Sequence, residues 1–131
     1  MPNRLVQLSH IPEYRSTESM NHALLRWEPE TLVQLPAGVE FLPFMVPGSQ
    51  ELMENTVRGL REHVIVIWAK HGLMARSDAS PLGACDKIEY AETGAAYEYR
   101  DLAGGGRGEG VSRDELRRVR DAFGVVTDLL D

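Results

Sequence analysis

Apolar and polar positions along this chain alternate between strand-like and helix-like patterns. Residues 64–75 (VIVIWAKHGLMA) form two apolar runs that are separated by a lysine, a histidine and a glycine. Short apolar runs rich in β-branched residues are typical of buried strands. The pattern predicts two strands that meet at His71, with the histidine projecting from the rim of a buried sheet, where metals and substrates are handled.

Four segments follow the period of an amphipathic helix instead. They cover residues 16–27, 49–62, 80–103 and 112–124. Ser49, Ser80 and Ser112 are candidate N-caps, since a serine oxygen accepts a hydrogen bond from the first helical turn. Glycines end the last two segments, at the glycine-rich residues 104–110 and at Gly124, as expected for helix C-termini.

The spacing of apolar residues also predicts which face of each helix is buried. On the second helix this face consists of Met53, Val57 and Leu60. On the third helix one stripe carries Glu92 among apolar residues, namely Cys85, Ile88, Ala95, Tyr99 and Leu102.

Residues 31–35 and 39–44 are rich in strand-forming side chains and flank the breaker cluster at 36–38 (PAG). We interpret them as a strand pair or a bent strand. Together with the helices they predict one layered α/β or α+β domain, with strands mostly in the first two-thirds of the chain.

Composition narrows the choice of function. The chain has 131 residues, 43% of them hydrophobic, which suits a single domain with an ordinary core. Its net charge of −6 argues against binding nucleic acid. Cys85 is the only cysteine, which excludes an internal disulfide framework and a multi-cysteine zinc site. No apolar stretch approaches the roughly 20 residues needed to cross a membrane, so we expect a soluble, cytoplasmic protein.

Three segments carry a resemblance to a known family. Residues 39–72, which include FLPFMVPGS and IVIWAKHG, are similar to the C-terminal half of class II aldolase/adducin proteins, and most of all to rhamnulose-phosphate aldolases. The likeness continues through residues 86–95 (DKIEYAETGA) and the closing helix at 112–124. It implies a layered αβα fold in which a mixed or antiparallel sheet has helices on both faces. Residues 1–131 would form the C-terminal part of that domain.

The resemblance also implies a zinc ion and a reaction. Such enzymes hold zinc with three histidines, two from a His-x-His strand and one from a Trp-x-x-His-Gly segment, which His71 matches. Zinc with open positions polarises a ketose carbonyl. The expected reaction is retro-aldol cleavage of a ketose 1-phosphate, with rhamnulose 1-phosphate favoured, to dihydroxyacetone phosphate and lactaldehyde. The family is similar in forming homotetramers with active sites near subunit interfaces.

Two ligands of the triad have no counterpart in the sequence. The His-x-His strand would immediately precede residue 2, and its second histidine falls at Met1. The family's phosphate-binding loops and acid/base glutamate would lie further upstream. We therefore expect a truncated reading frame, a split gene or a cloned fragment, and an isolated chain that binds zinc poorly and is inactive.

Other polar residues are weaker candidates. Glu30, placed before the predicted strand at 31–35, resembles a glutamate that approaches the active site from a neighbouring subunit; the alternative is a solvated acid. His10 is a possible substitute ligand, although it lies nine residues after the expected position. His22 and His63 are expected to face solvent.

Two residues of the third helix are given structural roles. We interpret Glu92 as an acid tied to a backbone donor or an arginine, and Cys85 as a small core residue. No serine or cysteine has a recognisable base-bearing motif, and the glycine-rich patch lacks the context of a phosphate loop. Hydrolase and kinase functions are therefore excluded.

Two functional alternatives stay open. One is another enzyme of the same superfamily, such as a fuculose- or ribulose-phosphate aldolase or epimerase. The other is a non-catalytic, adducin-like binding module, which a chain without two of the metal ligands would permit.

Overall fold

The computed structural model describes residues 3–131, so Met1, the position matched to the family's second histidine, lies outside the described residues. Within these residues, six α-helices and three strands form a single layered unit, with a short 3₁₀ turn at Pro12–Tyr14. In chain order they are α1 (Asn3–Leu8), α2 (Thr17–Leu25), α3 (Pro29–Gln34), β1 (Glu40–Leu42), α4 (Gln50–Glu62), β2 (Ile65–Trp68), β3 (Gly72–Ala75), α5 (Pro81–Ala103) and α6 (Arg113–Phe123).

The sheet is mixed and has the order β1-β2-β3. Strand β1 runs parallel to β2, with Phe41 opposite Ile67, whereas β3 runs antiparallel to β2, with Leu73 opposite Ile67. The two strands predicted on either side of His71 are therefore confirmed.

The two faces of the sheet pack against different helices. Ile65 and Ile67 of β2 are fully buried in the main core, which residues of α1, α2 and α5 complete. Val66 points to the opposite face, where α4 approaches so closely that a Cβ atom on Gly59 would collide with it. A mixed sheet with helices on both faces confirms the predicted α/β fold class.

Serine side chains begin the longer helices as expected. The oxygens of Ser49, Ser80 and Ser112 each accept a hydrogen bond from the first turn of α4, α5 and α6. In α6 the bond from the Glu115 N–H to the Ser112 oxygen is part of a capping box, and Gly124 ends the helix in the left-handed conformation. These four predictions of helix ends are confirmed.

The strand predicted at residues 31–35 is wrong, because Pro29–Gln34 form helix α3. Pro29 stands at the first helical position, where its fixed φ and missing N–H favour a helix start. Thr31 and Leu32 are fully buried, and Leu32 packs against Leu116 of α6 in a second small core. Tertiary burial thus outweighs the strand preference of the β-branched residues.

The predicted buried face of α4 is also wrong. Met53 and Val57 are 58% and 51% exposed, while Leu52 is 6% exposed. The helix turns its Leu52, Thr56 and Gly59 face to the sheet instead. Gly59 explains the choice, because only a residue without a side chain allows the backbone so close to Val66.

Helix α5 likewise buries a different face from the one predicted. Its buried residues are Ala91, Gly94, Ala95 and Glu98, so that Ala95 alone of the predicted apolar stripe is buried. Cys85 is exposed, and its interpretation as a core residue is wrong. Gly94 lies against α2, where a Cβ atom would collide with the carbonyl oxygen of Leu24. Small residues therefore decide which face of α5 packs.

Within residues 3–131, no helix combines the length and apolar character needed to cross a membrane.

Candidate functional site

His71 lies on the tight turn that joins β2 to β3. Trp68 and Gly72 face each other across the two strands, and the His71 N–H donates to the Trp68 carbonyl over 3.1 Å. Lys70, at the third position of this turn, has φ of 61° and is the one described non-glycine residue with positive φ. Glycine or asparagine is usual at such a position. The turn therefore holds its backbone in an uncommon conformation directly before the histidine.

The His71 ring is exposed and stacks on Trp68, with 5.1 Å between ring centroids and 28° between planes. The Trp68 indole N–H donates to Thr56 Oγ1 over 2.9 Å. The Thr56 hydroxyl donates in turn to the Leu52 carbonyl over 2.6 Å. Helix α4 thus orients the indole against which the imidazole rests. An accessible, oriented imidazole is suitable as a metal ligand.

A complete metal site is not formed by residues 3–131. Within that range no group of three or more His, Cys, Asp or Glu side chains is placed to hold a metal ion. His71 therefore offers one ligand where a catalytic zinc site needs about three. The residues present do not fit a bound zinc on their own.

The other histidines lie in different surroundings. His10 is exposed just beyond the end of α1, and His22 is exposed on α2 as predicted. His63 was expected to face solvent, but its side chain is only 14% exposed and its Nδ1 lies 3.4 Å from Oε2 of Glu40. The prediction fails because β1 brings Glu40 beside the α4–β2 junction.

Glu30 lies in the first turn of α3 and is exposed. Its expected position before a strand is wrong, since residues 31–34 are helical. Helix α3 packs against α2, α5 and α6. The catalytic role suggested for Glu30 stays a prediction.

Glu92 joins α5 to the start of α1. Its Oε1 accepts the Arg4 N–H over 2.9 Å, and its Oε2 accepts the Leu5 N–H over 3.0 Å. The Arg4 guanidinium lies 3.8 Å from Oε1. These contacts confirm the prediction of a structural acid. The carboxylate serves as an N-terminal cap supplied from a distant helix.

Glu98 is the centre of a buried polar cluster that sequence reasoning missed. Its carboxylate accepts hydrogen bonds from the Tyr14 hydroxyl over 2.7 Å, the Trp27 indole over 2.8 Å, and Arg26 Nε over 2.9 Å. The pKa of the Tyr14 hydroxyl is raised above its ordinary value of 10.0, mainly by burial and next by its hydrogen bond to Glu98. Spacing is the sequence feature that could have indicated the burial of Glu98, because Glu98 follows Gly94 by four residues on a stripe of small side chains.

A cavity of about 820 Å³ lies between α2 and residues 111–131. Polar side chains on its wall include His22, Arg26 and Asp128. No residue of the β2–β3 turn lines it. It is therefore separate from His71.

Known proteins named as aldolases are similar to most of this chain. No family model matches the chain. The rhamnulose-1-phosphate aldolase of Bacteroides thetaiotaomicron is 27% identical over 124 residues, which cover 95% of this chain and 46% of that protein. The enzyme of the same name from Yersinia pestis is 32% identical over 123 residues, which cover 92% of this chain and 43% of that protein. The chain is thus similar to rhamnulose-1-phosphate aldolases over 92–95% of its own length.

A solved structure agrees with this aldolase relationship. The sugar-phosphate aldolase from Thermotoga maritima superposes with a TM-score of 0.69 and 30% identity, over 79% of this chain and 43% of that one. The resemblance inferred from residues 39–72 is thus confirmed, together with the α/β fold. The chain spans less than half the length of each of these aldolases.

Proposed function

We propose that this chain is the C-terminal part of a zinc-dependent sugar-phosphate aldolase. The substrate class is a ketose 1-phosphate, and we favour rhamnulose 1-phosphate. The observation that carries the proposal is the match of 92–95% of the chain to relatives named rhamnulose-1-phosphate aldolase. The exposed, stacked imidazole of His71 agrees with it, because such an imidazole is available as a ligand for the metal that this chemistry uses.

Within the proposal, His71 supplies one metal ligand. The matched relatives are about twice as long as this chain, and in a protein of their length the further ligands would lie outside the part that matches residues 3–131. A bound zinc would act as a Lewis acid on the ketose carbonyl. The described residues do not assemble that site on their own.

The proposed reaction breaks the C3–C4 bond of the sugar phosphate. The C4 hydroxyl loses its proton and becomes the aldehyde of lactaldehyde, while the bonding electron pair stays with C3, next to the C2 carbonyl. A proton added at C3 then gives dihydroxyacetone phosphate. Glu30 is retained as a candidate acidic group that reaches a neighbouring subunit's site in a homotetramer. We place the reaction in the cytoplasm.

A graft of this chain into a longer relative tests this function. The segment of the Bacteroides thetaiotaomicron aldolase that aligns with this chain, 124 residues long, is replaced by it. The grafted enzyme should release dihydroxyacetone phosphate from rhamnulose 1-phosphate and lose this activity with a chelator. His71→Ala should abolish it, whereas His22→Ala, which alters an exposed histidine on α2, should not.

Circular dichroism and size-exclusion chromatography establish that each graft is folded. A folded graft that binds zinc but cleaves only another sugar phosphate would favour a different enzyme of the superfamily. A folded graft that neither binds zinc nor cleaves any sugar phosphate would contradict the proposal and favour a binding module. The isolated chain should release no product, because no group of three or more His, Cys, Asp or Glu side chains within residues 3–131 is placed to hold a metal ion.

A further inference from the structure

The turn before His71 contains a backbone N–H that the hairpin itself does not use. Lys70 is the third residue of the turn, and the closing hydrogen bond is made by His71. The Lys70 N–H instead donates to the side-chain oxygen of Ser9 over 2.8 Å. Ser9 lies 61 positions away in the sequence, next to the end of α1.

Ser9 is built into the core rather than the surface. Its residue is fully buried, and its hydroxyl donates to the Val6 carbonyl over 2.6 Å, which fixes the direction of the oxygen. Leu5 and Leu8 of α1 are fully buried in the main core and hold this helix in place. The Ser9 hydroxyl thus donates its proton to a carbonyl of α1 and accepts the Lys70 N–H of the turn.

The location of this bond relates it to the histidine. The Lys70 N–H lies in the peptide between Ala69 and Lys70, one residue before His71. Lys70 itself adopts a positive φ, which residues other than glycine, asparagine and aspartate rarely adopt. Without an external partner, a lysine there would favour a different backbone conformation. That change would rotate the His71 side chain away from the Trp68 ring.

We propose that Ser9 is a positioning residue for His71, whose buried hydroxyl holds the Lys70 backbone in the left-handed conformation that presents the imidazole. The Trp68 ring, oriented by Thr56, stacks against the imidazole itself. Helices α1 and α4 therefore fix the histidine from opposite faces of the sheet. The importance of this device for catalysis rests on the proposed function, but its geometry does not.

Nuclear magnetic resonance on the isotope-labelled chain tests the inference without metal or substrate. The wild-type Lys70 amide should be protected from hydrogen exchange, and ring protons of His71 and Trp68 should show nuclear Overhauser effects. In Ser9→Ala the Lys70 amide should exchange about tenfold faster or more, since its buried partner is lost. The Overhauser effects between the two rings should weaken in the same variant.

Two further variants separate positioning from stability. Asparagine tolerates positive φ, so Lys70→Asn added to Ser9→Ala should restore the ring-to-ring Overhauser effects. Ser112→Ala removes the N-cap of α6 and should lower stability while it leaves those effects unchanged. Wild-type Overhauser effects in a folded Ser9→Ala variant would overturn the inference.

Free exchange of the Lys70 amide in the wild-type chain would overturn it as well, and this measurement holds even where Ser9→Ala does not fold. The two proposals fail separately. A negative result here leaves the aldolase graft untouched, and an inactive graft leaves the position of His71 in the isolated chain unchanged.

Discussion

Arg26 and Glu98 form a two-point ion pair inside the protein, with 2.9 Å from Nε to Oε2 and 3.1 Å from Nη2 to Oε1. The pair joins α2 to α5, and the Glu98 side chain is only 4% exposed. Truncating one partner of a buried pair leaves the other charge without compensation. The cluster therefore acts as a tie between two helices of the main core.

Glu98→Ala should lower the free energy of unfolding by about 3–5 kcal/mol, because Arg26 and the Tyr14 hydroxyl lose their acceptor. Urea unfolding followed by circular dichroism measures this change. Asp121→Asn is the control, since it alters an ion pair with Arg120 in which the carboxylate is 68% exposed, and it should have no measurable effect. Equal losses in the two variants would show that the Glu98 cluster is not a structural tie.

Stability should depend on alkaline pH through Tyr14. Its pKa is raised by burial first and by Glu98 next, so the folded state keeps the hydroxyl proton at a pH where the unfolded chain loses it. The stabilisation is complete below the ordinary pKa of 10.0 and is lost as pH rises through the folded-state pKa. Tyr14→Phe should be less stable than wild type by about 1 kcal/mol near neutrality.

That difference between Tyr14→Phe and wild type should shrink above the ordinary tyrosine pKa. Urea unfolding at a series of pH values gives the comparison, and the other tyrosines cancel between the two proteins. If the stability difference between the two proteins stayed constant or grew with alkaline pH, this would contradict a raised pKa for Tyr14.

Glu92→Ala should destabilise the protein by about 1–2 kcal/mol, the usual effect of losing a helix cap. The carboxylate holds the N–H groups of Arg4 and Leu5 at the start of α1. Glu89→Ala is a matched change one turn earlier on α5, where the residue is exposed, and it should be neutral. Thermal unfolding of both variants decides between a capping acid and a solvated one.

The two faces of α4 should respond differently to truncation. Leu52→Ala should cost about 2–4 kcal/mol, because it removes a buried side chain from the contact with the sheet. Met53→Ala should change stability by less than about 0.5 kcal/mol, since Met53 is 58% exposed. Chemical denaturation of the pair measures the difference. A larger loss for Met53→Ala would restore the face predicted from sequence periodicity.

Sequence patterns predict local features of this fold better than its packing. The N-caps at Ser49, Ser80 and Ser112 depend on a few neighbouring residues, and the structure confirms all three. The buried faces of α4 and α5 depend on where backbones meet. Gly59 lets α4 approach β2 closely, and Gly94 lets α5 approach α2 closely. The spacing of hydrophobic residues alone does not predict these close contacts.

The candidate site divides in the same way. The motif around His71 predicted the turn and the resemblance to aldolases, and the structure and the aldolase relatives confirm them. Its supports were not predictable, because Ser9 and Thr56 reach the turn only through tertiary contacts. The bond from Lys70 to Ser9 joins positions 61 residues apart, and no local pattern encodes such a pairing.

Calorimetric titration with zinc near neutral pH tests the central claim most directly, namely that His71 is one ligand of a site completed outside residues 3–131. The isolated chain should show no sub-micromolar site, and the grafted aldolase should bind one zinc per subunit, lost in His71→Ala. A stoichiometric sub-micromolar site in the isolated chain, or tight zinc binding by the His71→Ala graft, would contradict this account.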